Sequence, residues 1–114
     1  MKRYGIISFL IWLPLTILGE GLSASHYSSI FTGKKTASGE KYHPSQMTAA
    51  HKTLPLGSMI KVINLENQKS VVVKINDRMK KSCKHDIDLS HMAARKIGVL
   101  KTGMAKVRLV NLRQ

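Results

Sequence analysis

Acidic residues are scarce in this chain. Six face 19 lysines and arginines in 114 residues, for a formal net charge of +13. Cysteine occurs once, at Cys83, so no internal disulfide can form. With no C-x-x-C pair and no Cys/His pair at a ligand spacing, neither a dithiol centre nor a zinc site can be read, and no metal or cofactor is implied. Cys83 lies in the basic run RMKKSCKH; neighbouring lysines favour its thiolate, yet it reads as a loop residue. Aromatic residues make up only 5%, which removes the stacking platforms of a single-strand nucleic-acid binder. The chain has room for one domain and little more.

The first two dozen residues stand apart. MKRYGIISFLIWLPLTILGEGLSA carries Lys2 and Arg3 in front, an apolar run from Ile6 to Leu18, and a small polar segment ending at Ala24. That is the layout of a secretory leader. The alternative is an uncleaved anchor, but a spanning helix needs ~20 apolar residues, and this run is shorter and broken by Pro14. The expectation is a leader over 1–24 and a domain over 25–114. Position 25 is serine, not the cysteine that would receive a lipid. A soluble, monomeric product in the periplasm or outside the cell follows, with no stable membrane anchor. Removing Lys2, Arg3 and Glu20 leaves 17 basic and 5 acidic residues, a net of +12. Such charge bears on partners rather than fold. Export disfavours nucleic acid and leaves a polyanion at the cell surface.

The remainder reads as mostly β. MIKVINL (Met59 to Leu65) and SVVVKIN (Ser70 to Asn76) are rich in Val and Ile and joined by the short polar Glu66-Asn67-Gln68-Lys69, which predicts a hairpin. Val71, Val73 and Ile75 share one strand face. AKVRLVNL (Ala105 to Leu112) alternates again, and an early strand is expected over Ser25 to Ser29. One helix is expected from His91 to Ile97, capped by Ser90 and ended by Gly98. Several strands and a short helix in ~90 residues point to a small closed barrel, which also removes open sheet edges.

Five acids remain beyond Ala24. Glu66 falls in the hairpin turn, where solvation suffices, and Asp86 reads as an exposed loop residue. Asp77 ends a strand beside Arg78. Asp88 precedes the helix start, where it could order the turn as readily as act in catalysis. Glu40 lies in the loop TASGEKYHPSQMTAAH (36–51) with no evident helix or strand neighbour to pair with. Alone, three such carboxylates are only a weak pointer to glycosidic chemistry, in which two carboxyl groups flank the bond. His26, His43, His85 and His91 are scattered without a ligand spacing. His51 is compatible with a buried structural role or a site role.

Taken together, ASHYSSIFTGKKTASGEKY, TAAHKTLPLGSMIKVINLENQKSVVVKINDR and IDLSHMAARKIG resemble the RlpA family of double-psi β-barrel proteins, from Ala24 to about Val110. The resemblance implies an all-β, six-stranded double-psi barrel with one or two short helices, related to the first domain of expansins and to barwin-like proteins. It implies a lytic transglycosylase acting on peptidoglycan glycan strands, in wall remodelling or daughter-cell separation. Glu40 matches the catalytic glutamate of T-A-S/N-G-E, Asp77 the catalytic aspartate of N-D-R, and His51 the site histidine of T-A-A-H. Tyr27, Thr48, Asn76, Arg78 and Asp88 match positions expected to contact substrate, Asp88 being the expansin-type aspartate of I-D-L-S. Asp77, at a strand end, is preferred as proton donor over the loop residue Glu40.

One departure stands out. The family continues N-D-R with Gly-Pro and an aromatic, whereas this chain reads Met79-Lys80-Lys81. The loop beside the implied site is therefore more basic and differently shaped. It keeps open a second reading, a non-catalytic expansin-like module that binds or loosens the wall. A third, a basic polyanion binder acting on membranes, accounts for the charge but not the motifs.

Overall fold

The computed structural model describes residues 15–112; most of the expected leader, residues 1–14, lies outside them. Six strands follow in chain order: β1 Leu15–His26, β2 Thr48–His51, β3 Met59–Asn64, β4 Ser70–Arg78, β5 Ile87–Leu89 and β6 Ala105–Leu112. They close into a barrel in the order β1-β5-β2-β4-β3-β6. Two neighbouring pairs, β1 with β5 and β2 with β4, run parallel, and the other four run antiparallel. Parallel neighbours require crossing connections, and the two crossings make this the double-psi barrel that the motifs imply.

The β3–β4 hairpin forms as its alternation predicts. Ile60 and Val62 of β3 and Val71, Val73 and Ile75 of β4 point inward, while Val72 stays 39% exposed. The turn closes through Gln68, which takes a positive φ of 63° and donates its N–H to Asn64 O at 2.8 Å. Glu66 is exposed there, as expected. Buried Asn64 donates to Ile97 O at 2.7 Å and so fastens the hairpin to the helical segment.

Two short helices lie between β5 and β6, α1 His91–Lys96 and α2 Val99–Thr102. Ser90 caps α1, its Oγ accepting from Ala93 N at 3.3 Å. Gly98 ends it with φ of 85°, a left-handed position that a side chain would strain. Ala93, Ala94, Ile97 and Val99 join Ile87, Leu89, Val107 and Leu109 in one core. Each of these is essentially fully buried, and burying one such aliphatic side chain stabilises by about 1.5–3 kcal/mol.

The structure departs from the sequence reading in three places. β2 and β5 hold four and three residues, too few for an alternating pattern to register. Asp88 therefore lies within a strand rather than in a turn. Asp86 is half-buried rather than exposed, because its Oδ2 accepts from Ser23 N at 2.8 Å. Most consequential, β1 begins at Leu15, ten residues before the expected domain boundary. It pairs with β6 from Leu15↔Leu112 to Ala24↔Ala105, with bulges near Gly19 and Leu22. Glu20, on the leader side of that boundary, forms an ion pair with Arg108 at 2.8 Å.

A chain beginning at Ser25 lacks this ladder. Several hydrogen bonds at about 1 kcal/mol each predict that residues 25–114 unfold at least ~3 kcal/mol more easily than residues 15–114. Parallel urea denaturation of the two would measure the difference; equal midpoints and slopes would show that the ladder contributes nothing.

Candidate active site

A row of four residues crosses four adjacent strands. Ser25 of β1 is in register with Asp88 of β5, Asp88 with Ala50 of β2, and Ala50 with Asp77 of β4. The alignment of Asp77 with Ala50 requires a bulge, since Ala49 pairs with Ile75 and the register then skips Asn76. Bulges re-aim side chains in this way. Asp77 and Asp88 thus stand two strands apart, about 10 Å between backbones at the usual strand spacing. Ala50, too small to fill the gap, lies between them. The three line a cleft of about 270 Å³ with Tyr27, Phe31, Arg78, Met79, Lys80 and Cys83.

Asp77 accepts three hydrogen bonds, two of them from backbone amides. Its Oδ2 accepts from Tyr27 Oη at 2.7 Å, and its Oδ1 accepts from Ala37 N and Arg78 N, each at 2.9 Å. Tyr27 is itself fixed. Its ring stacks on Tyr42 at 4.4 Å with 9° between planes, and Tyr42 Oη accepts from His91 N at 3.0 Å. Burial, reinforced by the hydrogen bond to Asp77, holds the Tyr27 phenol far above its ordinary range, so it remains a donor.

Asp88 differs from its neighbour. It accepts one side-chain hydrogen bond, from Ser25 Oγ at 3.0 Å. Burial pushes its carboxyl above the usual range and the Asp77 charge adds to this; Ser25, His26 and His85 act in the opposite direction. Desolvation wins, and the carboxyl is held above its ordinary range.

Glu40 stands in an adjoining depression with Ser38, Leu56, Gly57, Lys74 and Asn76. Its loop is folded by Thr36, whose N and Oγ1 both donate to Glu40 O at 2.8 and 2.7 Å. Gly39 takes the turn at φ of 91°. Contrary to the isolation read from sequence, Glu40 has a strand neighbour: Lys74 Nζ lies 2.8 Å from Oε2. Lys74 chiefly, with Asn76 and Ser38, holds this exposed carboxyl below its ordinary range.

Of the remaining motif residues, Arg78 lines the cleft and lies against His51 O at 3.5 Å. Asn76 is buried beside Glu40, 3.4 Å from Oε1. Thr48 is 5% exposed and bonds through its backbone to Ser90, so it braces α1 rather than meeting the cleft. The Nδ1 of His51 accepts from Thr53 N and Leu54 N, each at 3.1 Å. That fixes the ring with its proton on Nε2, and burial followed by Arg78 lowers its pKa, keeping it neutral. His51 therefore organises the turn after β2 and positions Arg78. Sequence reasoning gave no role to Tyr42, Lys74, Ala50 or Met79. Tyr42 and Ala50 lie inside the quoted motifs, but nothing local marks one as a stacking platform or the other as a floor.

Tyr27→Phe keeps the stack and deletes one bond to a charged acceptor, an expected loss of about 1.5–3 kcal/mol in urea unfolding. Tyr27→Ala also loses the ring and should cost about 3–5 kcal/mol. In a separate NMR titration, Lys74→Met should move the Glu40 carboxyl upward toward its ordinary pKa. No movement would mean that the ion pair does not govern it.

Against known proteins, residues 20–109 match the lytic transglycolase family profile. The chain is 53% identical over 90 residues to the endolytic peptidoglycan transglycosylase RlpA of Haemophilus influenzae, covering 79% of this chain and 31% of that protein. It is 51% identical over 87 residues to the RlpA of Pseudomonas aeruginosa, covering 76% and 26%. The chain thus spans no more than about a third of the length of these curated relatives. Among solved structures, the apo expansin of Clavibacter michiganensis superposes with a TM-score of 0.65 at 21% identity, over 88% of this chain and 51% of that one. The Streptomyces papain inhibitor superposes at 0.64 and 20%, over 86% and 97%. These last two share the fold alone. On the profile match and the identity to the RlpA proteins, this chain belongs to the RlpA-like family of lytic transglycolases.

Proposed function

We propose that this domain is a peptidoglycan lytic transglycosylase acting outside the cytoplasm, cleaving the bond between N-acetylmuramic acid and N-acetylglucosamine. The observation that carries the reading is the pair Asp77 and Asp88, in one register row over the floor of Ala50, with unlike environments. Two carboxyls in unlike surroundings can divide acid from base work. The RlpA relatives, named as endolytic peptidoglycan transglycosylases, supply the substrate.

The unlike environments support one division of roles. Asp88, whose carboxyl burial holds above its ordinary range, gives its proton to the glycosidic oxygen as the C1–O bond breaks, and the bonding pair stays with that oxygen. Asp77, whose three partners are all donors, faces the ring as an acceptor and stabilises the positive charge developing at C1. The muramic C6 hydroxyl then attacks C1 and its proton passes to the Asp88 carboxylate. The acid is restored, and the product is a 1,6-anhydro end formed without water. Glu40, anionic beside Lys74, holds the strand in the adjoining depression. This division is preferred to Asp77 as donor, the sequence-based choice, because the three groups bonded to Asp77 all donate to it and hold it for stabilising positive charge.

Digestion of purified peptidoglycan by the full-length chain, with products identified by mass spectrometry, tests the reading. Anhydro-muramic ends are expected from the native protein. Asp88→Asn and Asp77→Asn should each lower the rate by ~100-fold or more, the scale of one acid–base or electrostatic contribution. A donor with a raised pKa works below that pKa, so kcat/KM should fall as pH rises through it. Reducing ends would mean hydrolysis, and binding without cleavage would favour the expansin-like module.

A further inference from the structure

β1 changes character at Gly21. On its N-terminal side Ile17 is 66% and Leu18 38% exposed, and Glu20 and Gly21 are exposed as well. The backbone there pairs with β6, but neither apolar side chain joins the core. From Leu22 onward the strand belongs to the barrel. Leu22 packs on the core, Ser23 is buried and Ala24 is fully buried. Ser23 is held at three atoms. Its N donates to Asp86 Oδ2 and its O accepts from Asp86 N, each at 2.8 Å, while its Oγ lies 2.8 Å from His85 Nδ1. Between the two halves Gly21 takes φ of 75° and drops out of the ladder, in which Glu20 pairs with Arg108 and Leu22 with Val107.

The same joint carries a sequence pattern. Leaders are cut after a triplet whose first and third residues are small. Leu22-Ser23-Ala24, which precedes the expected boundary, begins with leucine. Three overlapping triplets fit better: Gly19-Glu20-Gly21, Gly21-Leu22-Ser23 and Ser23-Ala24-Ser25. Their composition does not rank them, but the barrel does. A cut after Ser23, Ala24 or Ser25 removes Ser23 and leaves Asp86 without its two backbone bonds, and buried groups left unpaired are costly. A cut after Ser23 also places a charged ammonium on Ala24, which is 0% exposed. A cut after Gly21 keeps every one of these contacts. It removes the exposed half of the strand and the Glu20–Arg108 pair, a surface ion pair worth little. The family profile match begins at residue 20, beside this joint.

We propose that the Gly21–Leu22 peptide bond is a processing site, at which a leader peptidase releases residues 1–21 and leaves Leu22 as the N-terminus of the exported domain. Water adds to the Gly21 carbonyl and the C–N bond breaks. The water oxygen stays in the Gly21 carboxylate, and both water protons end on the Leu22 nitrogen as an ammonium. Cleavage precedes folding, so the peptidase meets an extended chain and reads only the small residues. The barrel then closes on a β1 that starts where burial starts. The proposal rests on export of the chain and not on the transglycosylase reading.

The test expresses the full-length chain in a bacterium, follows processing by pulse-labelling, and reads the product by N-terminal sequencing and intact mass. Leu22 is the expected first residue. Gly21→Leu, bulky beside the cut, should leave the chain largely as precursor. Ala24→Val, which spoils the Ala24–Ser25 bond instead, should still be cut before Leu22. Because processing comes first, a variant that folds poorly still reports. A product beginning at Ala24 or Ser25 overturns the position while keeping the leader; an intact chain beginning at Met1 overturns both. Normal processing of Gly21→Leu, or blocked processing of Ala24→Val, would likewise overturn the assignment.

Discussion

The carboxylate of Asp77 joins three parts of the chain that are distant in sequence. It accepts from Tyr27 just beyond β1, from Ala37 in the Glu40 loop, and from Arg78 at the end of its own strand. Each donor anchors something further. Tyr27 carries the stack on Tyr42, which in turn receives the first amide of α1. Ala37 and its neighbour Ser38, which donates to Asn76 O at 3.0 Å, dock the Glu40 loop against β4. A buried hydrogen-bonded network of this kind is strong when complete and costly when one member is missing. The group best placed for chemistry is therefore also a structural junction, so changes at Asp77 act on both.

The barrel contributes a spacing that no loop could hold as firmly. Strand register sets Asp77, Ala50, Asp88 and Ser25 side by side, and closure prevents the strands from sliding. One bulge at Asn76 brings Asp77 into line. The same bulge leaves Asn76 buried and turned toward Glu40, so a single irregularity serves both depressions. In a chain this basic, the described acids other than the exposed Glu66 are not left to the average field. Glu20 and Glu40 have cations, Asp86 has a backbone amide, and Asp77 and Asp88 have hydroxyls. Local partners, rather than net charge, set what each carboxyl can do.

The boundary at the N-terminus shows how one stretch of sequence can satisfy two physical demands. Residues 15–24 are apolar and small enough to read as the end of a leader, and the same stretch pairs along β6 with two bulges. Pattern alone cannot choose between these, because both select for short apolar segments. Hydrogen bonding to a strand some 90 residues away gives the same stretch a place in the barrel.

Much of the fold was legible in the residues. The hairpin, β6, and the Ser90 cap with its Gly98 stop each follow from local alternation or backbone preference, which act within a few residues. The motifs around Glu40, His51, Asp77 and Asp88 likewise stand in plain view, and the family with them. What they do relative to one another was not legible. The ion pair of Glu40 with Lys74, the stack of Tyr27 on Tyr42 and the bonds that give Asp77 and Asp88 unlike surroundings depend on contacts across 15 to 63 residues. Protonation and hydrogen bonding are properties of surroundings, and surroundings exist only once the barrel has closed. Sequence determined which groups are present; tertiary structure decided which of them face the same space, and in what charge state.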